Sequence, residues 1–170
     1  MVNKSNSKLS YKGKVTVKLY HGKKVYKTIK EKNEGTLELF KFFANCLTGN
    51  YYSQQRPMYL RAFNVVFDEE GNETSRQEVT TTAIPVRRAK PTFNAENNTA
   101  SVLNEFIIPA ATLSTGEANV LDLYSTENKN QPDVMSAEVV LDEGIQKENG
   151  TSNIKVEWTL VIGNANEEGE

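Results

Sequence analysis

Between residues 154 and 162 the chain alternates: Ile154, Val156, Trp158, Leu160 and Ile162 are apolar, with Lys155, Glu157 and Thr159 among the residues between them. Side chains on a β-strand point to opposite faces in turn, so a two-residue period marks a strand with one buried face and excludes a helix. The same period runs through Val15, Val17 and Leu19, which alternate with Thr16, Lys18 and Tyr20. His21-Gly22-Lys23 supplies a turn, and residues 25–29 return as the second arm of a hairpin. Further strands are predicted over 57–67, 78–86, 99–108, 118–124 and 134–141, the last with Met135, Ala137, Val139 and Leu141 on one face. Turns fall at 68–72, 97–98, 114–116 and 148–152, and the basic, proline-bounded stretch 87–91 reads as a connection.

One segment has a different period. Leu37, Phe40, Phe43, Ala44 and Leu47 recur at three- and four-residue spacing, which is the apolar stripe of a helix. Thr36 stands where an N-cap hydroxyl accepts an orphan backbone N–H, and Gly49 where a left-handed residue ends a helix. A helix over 36–48 is therefore expected to plug one end or one side of a sheet, with its aromatic stripe as core. Eight strands and one helix predict a mainly β chain. The expected form is an antiparallel β-sandwich, immunoglobulin-like or jelly-roll-like, with one short amphipathic α-helix.

A length of 170 residues matches one domain. The expected division is a flexible basic arm over 1–12, a single domain over 13–164 and an acidic tail over 165–170. Charge is split along the chain. Residues 1–35 hold ten lysines and two glutamates, a net +8, and the remaining 135 residues carry a net −10. The overall −2 hides this dipole. The basic segment either lies on the acidic body of its own chain or docks onto an acidic partner, and the candidate partner-binding residues are Lys4, Lys8, Lys12, Lys14, Lys18, Lys23 and Lys24. Tyr11, Tyr20 and Tyr26 interleave with lysines as in a nucleic-acid face, but residues 1–35 contain no arginine. The planar guanidinium fork is the usual reader of phosphates and base edges, so nucleic acid is not the expected partner.

No apolar run approaches the roughly 18 residues of a membrane-spanning helix, and residues 1–14 lack the apolar centre of a secretory signal. A membrane is not an expected partner. The single cysteine, Cys46, permits no disulfide framework and no multi-thiolate metal site. It has no evident base beside it and is expected to pack as a small helix residue. The single histidine, His21, sits in the hairpin turn, a poor place for acid–base work. Asp68, Glu69, Glu70, Asn72 and Glu73 surround Gly71 and offer oxygen ligands, but their spacing differs from an EF-hand loop. Trp158 could be a sugar platform, yet its alternation with Val156 and Leu160 assigns it to the core. No catalytic residue, metal or cofactor is expected, nor a small-molecule ligand.

The stretch Gly35-Thr36-Leu37-Glu38-Leu39-Phe40, the continuation Cys46-Leu47-Thr48-Gly49 and Arg56-Pro57 opening a strand resemble small accessory structural proteins of tailed bacteriophages. The terminal stretch from Ile154 to Asn164 is similar to closing strands of virion proteins from such phages, and Leu121-Asp122-Leu123-Tyr124-Ser125 is similar to the strand before it. The resemblance implies a non-enzymatic virion part in the head–tail or tail complex or on the capsid, assembled in the host cytoplasm with other virion proteins and copies of itself. It transfers no catalytic residue. The alternative is a carbohydrate- or receptor-binding module, for which Tyr51 and Tyr52, with Tyr59 near Arg61, are the candidate contact residues.

Overall fold

The first and last alternating stretches of the chain become neighbours. The computed structural model describes residues 9–33, 59–96, 99–124 and 135–164. In chain order the elements are β1 (Leu9–His21), β2 (Lys24–Asn33), β3 (Tyr59–Phe67), β4 (Glu73–Glu78), β5 (Ile84–Pro85), β6 (Arg88–Asn94) and β7 (Thr99–Pro109). A 3-10 turn (Ala110–Thr112) then leads to β8 (Glu117–Tyr124), β9 (Met135–Gln146) and β10 (Thr151–Asn164). They form two antiparallel sheets. The first has the order β2-β1-β10-β7-β6; the second has the order β4-β3-β8-β9, and β5 adds to it by pairing with Tyr59 and Leu60 of β3. The chain is mainly β.

Register turns the alternation into rungs of one core. Val15, Val17 and Leu19 of β1 stand opposite Trp158, Val156 and Ile154 of β10. These in turn stand opposite Asn104, Phe106 and Ile108 of β7. On the second sheet Leu60 and Ala62 of β3 face Leu123 and Leu121 of β8, which face Ala137 and Val139 of β9. The apolar residues of these rungs belong to one buried cluster shared by both sheets. A fully buried large aliphatic side chain contributes about 1.5–3 kcal/mol, whereas a protein hydrogen bond nets about 0.5–1.5 kcal/mol. The shared core therefore holds the two sheets together. At the margin, Lys27 of β2 pairs with Glu143 of β9 at 3.2 Å, and Glu31 accepts the Asp142 N–H at 3.3 Å.

The hairpin between β1 and β2 closes over Gly22, whose φ of 59° lies in the left-handed region that glycine enters without strain. Strand β1 starts at Leu9, inside the stretch expected to be the arm, and pairs there with the end of β10.

Two expectations along the middle of the chain are corrected. Residues 78–86 do not form one strand: Glu78 closes β4, Val79 and Thr80 are both buried, Thr80 bridges in isolation to Leu113, and only further on do Ile84–Pro85 pair with β3. Two neighbours buried side by side break the alternation that a half-buried strand requires. The stretch read as a basic connection is instead the edge strand β6, paired along its length with β7. An edge position tolerates Pro91 because one side of the strand bonds to nothing in the sheet. Strand β4, polar and largely exposed, carries no apolar alternation to announce it. Strand β9 runs on to Gln146 because Asn119 of β8 alone faces residues 141–144 of β9 across a bulge. The helix expected over 36–48, with Cys46, lies outside the described residues.

Candidate functional site

The face of the first sheet that points away from the core is a ladder of charge and hydroxyl groups. One rung runs Lys32, Lys14, Thr159, Leu103, Lys90 across all five strands, and the next runs Lys30, Thr16, Glu157, Glu105, Arg88. A third runs Thr28, Lys18, Lys155, Ile107. At about 4.8 Å per strand the face is about 19 Å across. Its cations are sorted by position. Lys14, Lys30 and Lys32 at one margin and Arg88 and Lys90 at the other are exposed, and none has an ion pair among the described residues.

The centre is neutralised internally. Lys18 stands opposite Lys155 and Glu157 opposite Glu105, like charges that would repel across the rungs. They pair diagonally instead, Lys18 Nζ to Glu157 Oε2 at 2.9 Å and Lys155 Nζ to Glu105 Oε2 at 2.8 Å, while along β10 Lys155 Nζ also reaches Glu157 Oε1 at 2.8 Å. Hydrogen bonds to Glu105 and then Glu157 raise the Lys155 ammonium above its usual range. Burial pushes Glu157 up, but the hydrogen bonds from Lys155 and Lys18 together outweigh it and hold the carboxyl below its usual range.

Of the lysines named from sequence, Lys14 and Lys18 lie on this face, Lys12 lies in the same strand, and Lys23 and Lys24 sit at the hairpin end. Lys4, Lys8, Tyr51 and Tyr52 lie outside the described residues. Sequence reasoning missed Arg88, Lys90 and Lys155, which come from distant strands. Lys155 was marked only by its place between buried Ile154 and Val156, and Arg88 and Lys90 only by the basic composition of 87–91.

The second sheet carries a buried ionic cluster on its outer face, and this was also missed. Arg61 stands opposite Asp122, and Asp122 opposite Glu138. From β4, Arg76 donates through Nη1 to Asp122 Oδ2 at 2.8 Å, through Nη2 to Glu73 Oε2 at 2.8 Å, and also to Glu138. The Tyr124 hydroxyl donates to Asp122 Oδ2 at 3.1 Å. The Arg61 guanidinium lies 4.7 Å from the Tyr124 ring centre, and that of Arg76 lies 5.0 Å from the Phe63 ring centre. Asp122 is fully buried, and its Oδ1 has no hydrogen-bond partner among the described residues. Burial pushes its carboxyl up to about 7 against the pull of Arg76, with Glu138 adding to the rise. Burial and then the Asp122 charge raise the Tyr124 hydroxyl. The cluster cross-links β3, β4, β8 and β9.

The other residues weighed from sequence resolve into local roles. Asp68 Oδ1 accepts the N–H groups of Glu70 and Asn72 at 3.0 and 2.7 Å, and its Oδ2 accepts from the Asn72 amide at 3.1 Å. These bonds hold the carboxyl below its usual range, and Glu73 is taken up by Arg76. His21 stacks on Tyr26 with ring centres 4.0 Å apart. Trp158 has no exposed surface, and Arg61 is buried. Among the described residues no group of three or more His, Cys, Asp or Glu side chains is placed to hold a metal. A shallow recess of about 200 Å³ sits at the β8–β9 bulge, lined by residues that include Asn64, Asn119 and Gly144. The chain matches no protein-family model, no curated protein and no solved structure.

Proposed function

We propose that this chain is a non-enzymatic structural component of a tailed-phage particle, joined to other virion proteins and to copies of itself at the head–tail or tail complex or on the capsid. The observation that carries the reading is the outer face of the first sheet, with cations at both margins that have no ion pair among the described residues, and a neutralised centre. Such a surface suits attachment to an acidic protein surface. Repetition around a symmetric assembly multiplies weak contacts into a firm one. The sequence resemblance to accessory phage proteins points the same way. The finer form of the fold belongs to the same proposal: the two sheets make an immunoglobulin-like or jelly-roll-like sandwich, with the short helix over 36–48 packed against it.

The test is location. Purified virions from cells producing the chain with a C-terminal label are imaged by electron microscopy. Label at one site, in a fixed number of copies, supports the proposal. Virions that carry no label, with the chain left in the soluble fraction, overturn it.

A further inference from the structure

We infer that the charged outer face of the first sheet receives the β3–β4 hairpin tip of a second copy of this chain, head to tail. This rests on the assembly reading for its biological setting, but not for its physical argument. The face has two cationic margins, Lys30 and Lys32 on β2 and Arg88 and Lys90 on β6. Its middle holds Leu103 and Ile107, both half-buried, beside carboxylates already bound to lysines. A uniformly charged polyanion laid across it would cross Glu105 and Glu157. An occupant with an apolar centre and an acidic rim fits better.

The β3–β4 tip carries both kinds of group. Val66 is 55% exposed and Phe67 37% exposed, at the end of β3. Exposed Glu69 and Glu70 follow directly. The tip is also pre-shaped. Asp68 N–H donates to Asn72 O at 2.9 Å, Gly71 N–H donates to Asp68 O at 3.1 Å, and the Asp68 carboxylate binds two further backbone N–H groups. Gly71 takes a φ of 85° that completes the turn. A turn already ordered loses little entropy on docking. Face and tip are different surfaces of one molecule, so the contact is heterologous and propagates into a ring or a filament.

Sedimentation velocity of the full chain tests this. At 50 mM salt the wild type is expected to form concentration-dependent oligomers, and at 500 mM salt to shift toward monomer, because the Debye length shortens about threefold. Two variants, Lys30→Glu with Lys90→Glu on the face and Glu69→Lys with Glu70→Lys on the tip, change only exposed side chains. Each alone is expected to weaken association at least tenfold. Mixed in equal amounts, they are expected to regain it, because each reversed surface now meets its complement. A wild type monomeric at 50 mM salt overturns the inference, as do oligomers indifferent to both variants. Retention of the monomer on duplex DNA, lost with the face variant, overturns it in favour of a polyanion. A monomeric chain that is nevertheless found in purified virions refutes this contact and leaves the assembly proposal standing.

Discussion

Arg76 reaches from β4 across the whole width of β3 to place Nη1 2.8 Å from Oδ2 of Asp122 on β8. Its guanidinium passes over the ring of Phe63, 5.0 Å from the centre, so the ion pair spans a strand that lays an aromatic face beneath it. Asp122 has no exposed surface, while the Arg76 side chain keeps 26%. The pair is therefore buried at one end and open at the other.

Removing the open partner takes from the buried carboxylate the guanidinium bound to it and leaves the Tyr124 hydroxyl. Arg76→Met is expected to cost about 3–5 kcal/mol at pH 8, the usual penalty for stranding one charge of a buried pair. Urea denaturation measures it. A loss below about 1 kcal/mol would place the pair among ordinary surface bridges.

Asp122 also makes stability depend on pH. Its carboxyl rises from 3.8 to about 7 on folding, chiefly through burial. Between those values the folded chain holds a proton that the unfolded chain has released, so this group's contribution falls as pH rises from about 4 to about 7 and is level above. Asp122→Asn is expected to remove that slope, read as the difference between the two stability–pH curves. Arg76→Met is expected to cost less at pH 5 than at pH 8, because at pH 5 the carboxyl is neutral.

Asn119 does the work of a strand. Its Oδ1 accepts the Val65 N–H at 2.8 Å and its Nδ2 donates to Val65 O at 2.7 Å, at the bulge where β8 stops pairing with β3. Asn119→Ala leaves two backbone groups of a buried residue without partners and is expected to cost about 2 kcal/mol. Hydrogen exchange gives the specific readout: the Val65 amide is expected to exchange faster, with the Val17 amide unchanged.

Trp158 is fully buried, and its indole N–H has no acceptor among the described residues. Trp158→Ala is expected to cost about 3–5 kcal/mol. Trp158→Phe is expected to cost clearly less, since it sacrifices volume but no hydrogen bond. As the chain's one tryptophan, it is expected to fluoresce at shorter wavelength in the native state than in urea.

The alternating stretches were legible because a two-residue period is a local property. Val15, Val17 and Leu19, the run from Ile154 to Leu160, and Leu121 with Leu123 all reach the core that their spacing assigns them. The turn at Gly22 and the burial of Trp158 follow from the same few neighbouring residues. The basic N-terminal segment was equally visible as composition, and Lys14 and Lys18 do face outward from β1.

Strands β4 and β6 were hidden for a physical reason. An edge strand is made by backbone hydrogen bonds to a neighbour, which any side chain permits, so Glu73–Glu78 and Arg88–Asn94 could be strands without apolar periodicity. The candidate face and the ionic cluster were hidden for another. Lys18 and Glu157 are 139 positions apart, and Arg76 and Asp122 are 46 apart. Local spacing could assign Lys18, Glu157 and Asp122 to a side of their strands, but not Arg76. Which charges meet across that side was left to the pairing of β1 with β10 and to the order of β4, β3 and β8, because electrostatic contact depends on distance in space and the chain sets that distance only when it folds.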